Sequence, residues 1–410
     1  MKEIKNFTVI SLAVLSILTF LKRINILQPS NGFGTLIGMV SLFIVSVIII
    51  YVINHHNQKN YEVKKMNYDN LDVMRYVSSI LIVILHLRPF FDTYEKLDLV
   101  FNNIIGRICV PFFFLLSGYF IGEKEKNHNT YILKYVKSMI PLYLTWSMLY
   151  LPVFIYWLRP YFGEILLQIR LLNLPLWCVC LLIPLILPIV LLVMLVYSGT
   201  FYHLWYFPAL ILSLLILYFW KKRYSLKVLL FISFILLLLG ATETYYGVFP
   251  NNIQIILNYY FKYFITTRNF LFFGLFYVVF GYYISFKQKI YVSQSFLKLI
   301  AFSFLLIFET LILQSYYRLN SNILLSCILL VYYLFVTLIF SPSFIHEKFK
   351  YSLRLLSKYY YLIHPFVIMV VQHFLSDLKG FLAIVLVLVL THLLTLMIIK
   401  IKEKYPRLSL

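Results

Sequence analysis

Acidic residues are scarce: Asp and Glu number 15 against 36 Lys and Arg in 410 residues, and charged residues of both signs make up only 12%. A soluble chain would carry roughly a quarter, so a surface wetted on all sides is excluded. Glycine (13) and proline (14) are also few. No Gly/Ser/Pro-rich linker, low-complexity tract or internal repeat separates soluble domains, and the polar links are too short to host one. Four cysteines are present, Cys109, Cys178, Cys180 and Cys327, all in apolar runs. Their spacing matches neither a metal site nor a disulfide framework, so plain packing is the reading. No small-residue cleavage site follows the first apolar run. Instead "KRIN" (22–25) leads straight to another one, which argues against a cleaved signal peptide.

What is abundant is hydrocarbon. Hydrophobic residues reach 62% and the mean hydropathy is +0.87. Apolar runs near the ~20 residues that cross a bilayer recur along the whole chain, the pattern of an all-α polytopic membrane protein. A β-barrel is excluded because the runs are solidly apolar rather than alternating. Spans are predicted at 7–24, 34–54, 70–90, 103–122, 138–158, 203–220, 226–246, 265–285, 297–316, 321–341, 356–376 and 380–400.

Basic residues concentrate in "NQKNYEVKKMNY" (57–68), "EKEKNHNTYILKYVK" (123–137), "WKKRYSLK" (220–227), "FKQK" (286–289), "HEKFKYSLRLLSK" (346–358) and "KIKEKYPR" (400–407). All fall on one side, which the positive-inside rule makes the cytoplasm. The expected setting is therefore the cell membrane, multi-pass, with both termini cytoplasmic; Lys22 and Arg23 dissent weakly. The same placement makes the basic excess a topology signal, with no nucleic-acid partner expected. "LPLWCVCLLIPLILPIVLLVMLVYSG" (174–199) resists assignment. It is long enough to span, yet both neighbours need to lie outside. Pro184 and Pro188 allow a hairpin or re-entrant pair, and lying flat on the outer surface is the alternative.

Polar groups at bilayer depth are costly, so each is a functional candidate. In "MRYVSSILIVILHLRPFF" (74–91), Arg75 and His86 are eleven residues apart, which returns them to nearly one helix face about 16 Å apart. Asp72 can pair with Arg75 along the helix. The bland readings are an interfacial anchor pair, and a neutral imidazole bonded to a neighbouring helix. The functional reading of His86 is a base for a buried hydroxyl. Arg107 opens "RICVPFFFLLSGYFIG" (107–122), either holding an anion or snorkelling. Pro111 loosens that helix, and Ser117-Gly118 permits close helix approach. "GTFYHLWYFPAL" (199–210) clusters His203, Trp205 and Tyr206, with an aromatic belt as the bland reading. Arg268 stands at an outer helix end and Glu243 in an outer loop. Glu309 is a lone carboxylate in "LIFETLIL" that needs a partner or a proton; a protonated structural acid is its bland reading. His364 precedes a proline in "YYYLIHPFVI" (359–368).

Taken in order, "NLDVMRYVSSILIVILH", "VPFFFLLSGYF", Lys134 and Lys137 before Pro141, "HLWYFPAL" and "YLIHPF" resemble the acyltransferase-3 family of integral membrane acyltransferases. The resemblance runs from about Asn70 to Lys400. It implies a ten-helix acyltransferase-3-like core over 70–400, with 1–54 supplying two additional N-terminal transmembrane helices. "GRICVPFFFLLSGYF", "GTFYHLWYFPA", "TYYG" and "TRNFLFFGLF" are similar to the membrane half of vancomycin-resistance-type serine racemases. Those proteins continue into a cytoplasmic racemase domain. This sequence stops at Leu410, so no racemase chemistry is expected of it.

The family resemblance implies transfer of an acyl group, acetyl above all, from cytoplasmic acyl-CoA to a hydroxyl of a cell-surface glycan or other small hydroxyl acceptor. The family's histidine and arginine map to His86 and Arg75. Family members that O-acetylate surface polysaccharides have a glutamate where this chain has Leu210, so a catalytic carboxylate is expected from Glu243 or Glu309. Donor phosphates are expected at Lys134, Lys137 and Arg75, with Asp72 beside them. The acceptor is expected among Arg107, His203, Trp205, Tyr206 and Arg268. Acyl-CoA enters as co-substrate, with no bound cofactor or metal. A carrier for a small amino acid such as serine is the alternative, with an arginine holding the carboxylate and His86 relaying a proton. A membrane scaffold without chemistry is a third reading.

Overall fold

A computed structural model describes residues 66–128, 130–171, 192–264, 266–287, 295–343 and 350–405. The expected spans 7–24 and 34–54, the segment 1–54 and most of 174–199 lie outside the described residues. Among those described, the regular structure is helical throughout, as an all-α polytopic membrane protein requires. Among the described residues, five helices are long and apolar enough to cross a membrane: Asp69–Leu87, Glu95–Glu125, Tyr131–Tyr156, Ser295–Gln314 and Gly380–Lys404. The chain divides into two compact units, Met1–Leu115 with Leu238–Thr267 and Lys287–Lys400, and Leu116–Leu237 with Arg268–Phe286 and Ile401–Leu410.

In the first unit, α1 (Asp69–Leu87) carries Asp69 and Asp72 in its first turn, charges of the sign a helix N-terminus favours, and His86 in its last. It stops at Arg88, which adopts the left-handed conformation (φ 46°) and donates its N–H to the Ile84 carbonyl. Pro89 then prevents continuation. A short α2 (Glu95–Asp98) and a π-helical turn (Leu99–Ile105) lead into α3 (Gly106–Glu125). After α4 (Tyr131–Leu171), α5 (Tyr206–Trp220) and α6 (Leu226–Ala241), the chain returns through α7 (Asn251–Phe264). Beyond α8 (Leu275–Ser285) come α9 (Ser295–Gln314), α10 (Ser326–Phe340), α11 (Lys350–Phe374) and α12 (Gly380–Lys404). The most extensive packing is α1 on α11, followed by α9 on α10. Asn70, fully buried, donates to the carbonyls of Leu338 (3.3 Å), Ser341 (3.4 Å) and Pro342 (2.7 Å). It thereby covers acceptors that the end of α10 would otherwise leave open.

In the second unit α5 packs on α4, on α8 and on the π-helical turn Phe270–Gly274 that precedes α8. Asn269 starts that turn: its side chain accepts the N–H groups of Leu271 and Phe272 and donates to the Tyr197 hydroxyl at 2.7 Å. Gly118 and Gly122 let α3 close on α8, since a Cβ at Gly118 would lie 2.0 Å from the Val278 carbonyl oxygen. Several elements differ from the sequence expectation, α10 (from Ser326 rather than 321) and the turn before α8 (from Phe270 rather than 265) among them. α4 begins at Tyr131 rather than 138 because the buried Glu125 carboxylate accepts the Ile132 N–H at 3.3 Å and starts the first turn. α11 begins at Lys350 rather than 356, and α6 ends at Ala241 rather than 246. α7 lies between predicted spans. It is too short to cross a bilayer, and none of its residues is fully buried.

Candidate active site

The first unit gathers its polar groups on α1 and the helices around it. At the start of α1, Asp72 is buried and takes two arginines. Arg75 NH1 donates to Oδ1 at 2.8 Å from one turn along the same helix. Arg354 of α11 reaches over with a two-pronged contact, Nε to Oδ1 at 3.3 Å and NH2 to Oδ2 at 2.7 Å. Two guanidinium groups thus share the Asp72 carboxylate. Ser357, one turn beyond Arg354, donates to the Arg75 carbonyl at 3.0 Å. Sequence reading placed Arg354 in a loop and did not single it out; its position four residues into a helix that packs on α1 is what recruits it.

About three turns further along α1, half-buried His86 lies against His364 of α11, ring centroids 5.4 Å apart and planes 19° from parallel. His364 is fully buried, and its Nδ1 lies 2.9 Å from the Tyr360 carbonyl. A carbonyl only accepts, so Nδ1 carries the hydrogen and, in the neutral ring, Nε2 carries the lone pair. Pro365 follows inside the helix and supplies no N–H to the carbonyl four residues back, which loosens the backbone under the imidazole. Tyr360 also joins Tyr76, hydroxyls 3.4 Å apart, and shares a 2.9 Å hydrogen bond with His392 Nδ1 of α12.

The two carboxylates singled out from sequence sit elsewhere in this unit, each surrounded by donors. Glu309 accepts from the Tyr245 and Ser326 hydroxyls and from the N–H groups of Leu325 (2.8 Å) and Ser326 (3.0 Å). Burial pushes the Tyr245 phenol well above its ordinary range, and the Glu309 charge beside it adds to the effect. Glu243 accepts from the Thr267 hydroxyl, from the Thr267 N–H (3.2 Å) and from Asn322 Nδ2 (3.2 Å). Both arrangements tie a loop to a helix end. The bonds to these two carboxylates come from hydroxyl, amide and backbone N–H groups. Arg107 is half-buried in the first turn of α3, and its carbonyl faces the Cys327 thiol at 3.9 Å.

The second unit holds the remaining candidates. Lys134 and Lys137 are exposed on the first two turns of α4. His203 is 1% exposed and packs edge-on against Tyr150 of α4, ring centroids 4.8 Å apart. Tyr150 in turn stacks on Phe201 at 5.0 Å and 14°. The turn that presents His203 needs Gly199, whose φ is +78° and whose Cβ position would fall 2.7 Å from the Trp205 nitrogen. Trp205 is buried, with Arg268 over its ring at 5.5 Å and Phe273 edge-on at 5.6 Å. Tyr206 shares a 3.1 Å hydrogen bond with Ser117. Both Trp205 and Tyr206 are thus engaged by protein neighbours, rather than presenting open faces for a ring to stack on. Sequence reading missed Trp146 and Tyr150, whose rings lie 6.2 Å apart; an aromatic residue in an apolar helix carries no signal of its own.

The family model described as an acyltransferase domain, acyltransferase-3, matches residues 68–400. Curated relatives include two amino-acid racemases of Enterococcus faecalis. One is 26% identical over 355 residues, covering 82% of this chain and 46% of the relative. The other is 28% identical over 256 residues, covering 62% and 33%. A serine/alanine racemase of Enterococcus gallinarum is 26% identical over 329 residues, covering 76% and 42%. This chain therefore spans between a third and a half of the length of these relatives. No solved structure matches it significantly. With most of the chain matched by that model, and with its helices apolar enough to cross a bilayer repeatedly, the chain belongs to the acyltransferase-3 family of multi-pass membrane proteins.

Proposed function

We propose that this chain moves an acyl group, acetyl in the first instance, from cytoplasmic acyl-CoA to a hydroxyl of a cell-surface glycan or related extracytoplasmic acceptor. In this reading it lies in the cell membrane with both termini in the cytoplasm. Residues 70–400 form the catalytic membrane domain, and 1–54 add two transmembrane helices. The observation that carries the reading is on α1: a paired arginine at its start and, about three turns on, a histidine set against a buried imidazole of fixed tautomer. Arg75 and Arg354 suit the phosphates of the donor, because guanidinium forks match phosphate oxygens. Lys134 and Lys137, exposed on the second unit, are the donor-side lysines of this reading.

His86 takes the proton from the acceptor hydroxyl as its oxygen attacks the thioester carbonyl. The new C–O bond forms, the C–S bond breaks, and the proton passes to the departing CoA sulfur. Such a base contributes about 10²–10⁴-fold. Arg107, His203, Trp205, Tyr206 and Arg268 are the acceptor-side residues of this reading, with protein neighbours fixing Trp205 and Tyr206. Substitution His86→Ala is expected to lower transfer from radiolabelled acetyl-CoA into envelope material by about that factor while the protein still inserts. A protein that binds no acyl-CoA, and whose His86→Ala form leaves every surface modification intact, ends the proposal.

The names of the relatives, amino-acid and serine/alanine racemases, favour a second reading, carriage of a small amino acid such as serine. Proteoliposomes that accumulate serine with no acyl donor present would establish it in place of the first.

A further inference from the structure

We infer that α7 lies flat in the outer headgroup layer of the membrane and docks on lipid through Ile255, Ile256, Tyr259 and Tyr263. At about 100° per residue, the helix divides into three arcs. Ile253, Leu257, Tyr260, Phe261 and Phe264 are half-buried on one of them, with the Tyr260 ring 4.9 Å from those of Phe261 and Phe264. Asn251, Gln254, Asn258 and Lys262 form a polar arc. Ile255, Ile256, Tyr259 and Tyr263 fall within about 100° of one another and are 58%, 67%, 66% and 80% exposed. Asn252 is the polar exception on this third arc.

The polar arc is fastened to the protein. The Tyr246 hydroxyl donates to Asn258 Oδ1 at 2.8 Å, and Gln254 Nε2 donates to the Phe249 carbonyl at 2.7 Å. Tyr246 opens a short 3-10 turn that is bound in turn to the chain just beyond α9. Gly247 donates its N–H to the Tyr317 carbonyl at 2.9 Å, and the Tyr246 and Tyr317 rings lie 6.0 Å apart. α9 is long and apolar enough to cross the bilayer, and its exposed Phe304, Ile307 and Leu311 share one face. Its end therefore marks where hydrocarbon gives way to headgroups, and α7 is held beside that end. Lys221, Lys222 and Arg223 precede α6 and Lys287 follows α8, so by the charge rule α7 is on the extracytoplasmic side. Single exposed apolar side chains are ordinary. Four on one arc at this depth match the face that an in-plane helix sinks into the interface. Tyrosine, apolar in body and polar at its tip, favours that layer, and the exposed Lys262 beside the arc suits headgroup phosphates.

The test is photocrosslinking of the whole protein in proteoliposomes of phosphatidylglycerol and phosphatidylethanolamine. The photoreactive residue p-benzoylphenylalanine replaces Ile256, Tyr259 or Tyr263 in turn, with Asn251 of the polar arc as the reference position. Each variant that elutes as the wild type does from size exclusion decides separately. Irradiation is expected to give phospholipid adducts on the α7 peptide, read by mass spectrometry, several-fold more at the three apolar positions than at Asn251. Lipid labelling no greater than at Asn251 overturns the inference. So does a crosslink from these positions to a second copy of the chain, or to another segment of the same chain, in place of lipid.

Discussion

Substitution of Gly118 by alanine sets two effects of opposite sign against each other, and the structure decides which is larger. Alanine is the better helix former by about 1 kcal/mol, so α3 alone would gain. Against that, the new Cβ would sit 2.0 Å from the Val278 oxygen, 2.8 Å from its carbonyl carbon and 3.0 Å from the Tyr282 nitrogen. A carbon–oxygen contact settles near 3.3 Å, so α3 and α8 would have to part locally by roughly 1.3 Å. The atoms met are backbone within a helix and cannot rotate aside. Overpacking of this kind costs about 1–3 kcal/mol, and the parted surfaces lose dispersion contacts as well. The expected net loss is about 1–2 kcal/mol, a fall of a few degrees in the thermal midpoint followed by size-exclusion fluorescence in detergent. Gly122→Ala is milder, because its closest neighbour is the Ser285 hydroxyl oxygen. Turning that hydroxyl aside sacrifices its 2.7 Å bond to the Tyr282 carbonyl, about 1 kcal/mol, and the Ser285 Cβ at 2.9 Å and Tyr282 Cδ2 at 3.2 Å must still give by a few tenths of an ångström. Gly380→Ala serves as the control: nothing lies within 4 Å of its Cβ position, and only the φ of +68° resists. A Gly118→Ala protein at or above the wild-type midpoint would refute the close approach of α3 and α8.

Two further outcomes separate scaffold from chemistry. Glu309→Gln places amide hydrogens among four donors; stability is expected to fall by about 1–3 kcal/mol, while transfer per folded molecule persists. Lost activity at unchanged stability would instead make Glu309 part of the reaction. Asp72→Asn removes the charge shared by two arginines, of which Arg75 is 19% and Arg354 60% exposed in the side chain. The exposed partner contributes under about 1 kcal/mol, so a loss nearer 3 kcal/mol is expected mainly from the buried one. The KM for acetyl-CoA is expected to rise with it; a stability loss with unchanged KM would reduce the cluster to an interfacial anchor.

The spans were legible because hydrocarbon thickness demands long apolar runs, and α1, α3, α9 and α12 fall where those runs predict. Elements that mix polar and apolar residues were harder to read. α7 alternates Asn251, Asn252 and Gln254 with isoleucines over fourteen residues, which is neither a span nor an obvious loop. Lys134, Lys137 and Arg354 read as link residues, yet each lies on a helix. His86, His364 and Glu309 announced themselves by the cost of a polar group at bilayer depth, and Glu243 as a carboxylate in an outer loop. Their partners did not. Ser326, Thr267 and Asn322 are ordinary residues in sequence, distant from the carboxylates they serve, and only tertiary packing brings them there. Nor did any local pattern set His364 beside His86, 278 positions along the chain.

What distinguishes a structural polar group from a reactive one in this membrane protein is how its lone pairs and hydrogens are disposed. Glu309 and Glu243 receive four and three donors respectively, and a carboxylate so surrounded has its lone pairs already engaged by the protein. The histidine pair is arranged otherwise. His364 donates its one hydrogen to the Tyr360 carbonyl, which fixes the ring without neutralising a charge, and it stands 5.4 Å from His86. Two imidazolium rings at that distance would repel strongly in a medium of low dielectric. In the proposed reaction a proton taken by His86 from an acceptor hydroxyl would sit beside the His364 ring and would leave again with the CoA sulfur. Replacing His364 by asparagine, which can keep the N–H bond to Tyr360 but not the ring, should therefore lower kcat while leaving donor KM in place. An equal loss in both, or none in either, would mean that the two rings meet only to pack.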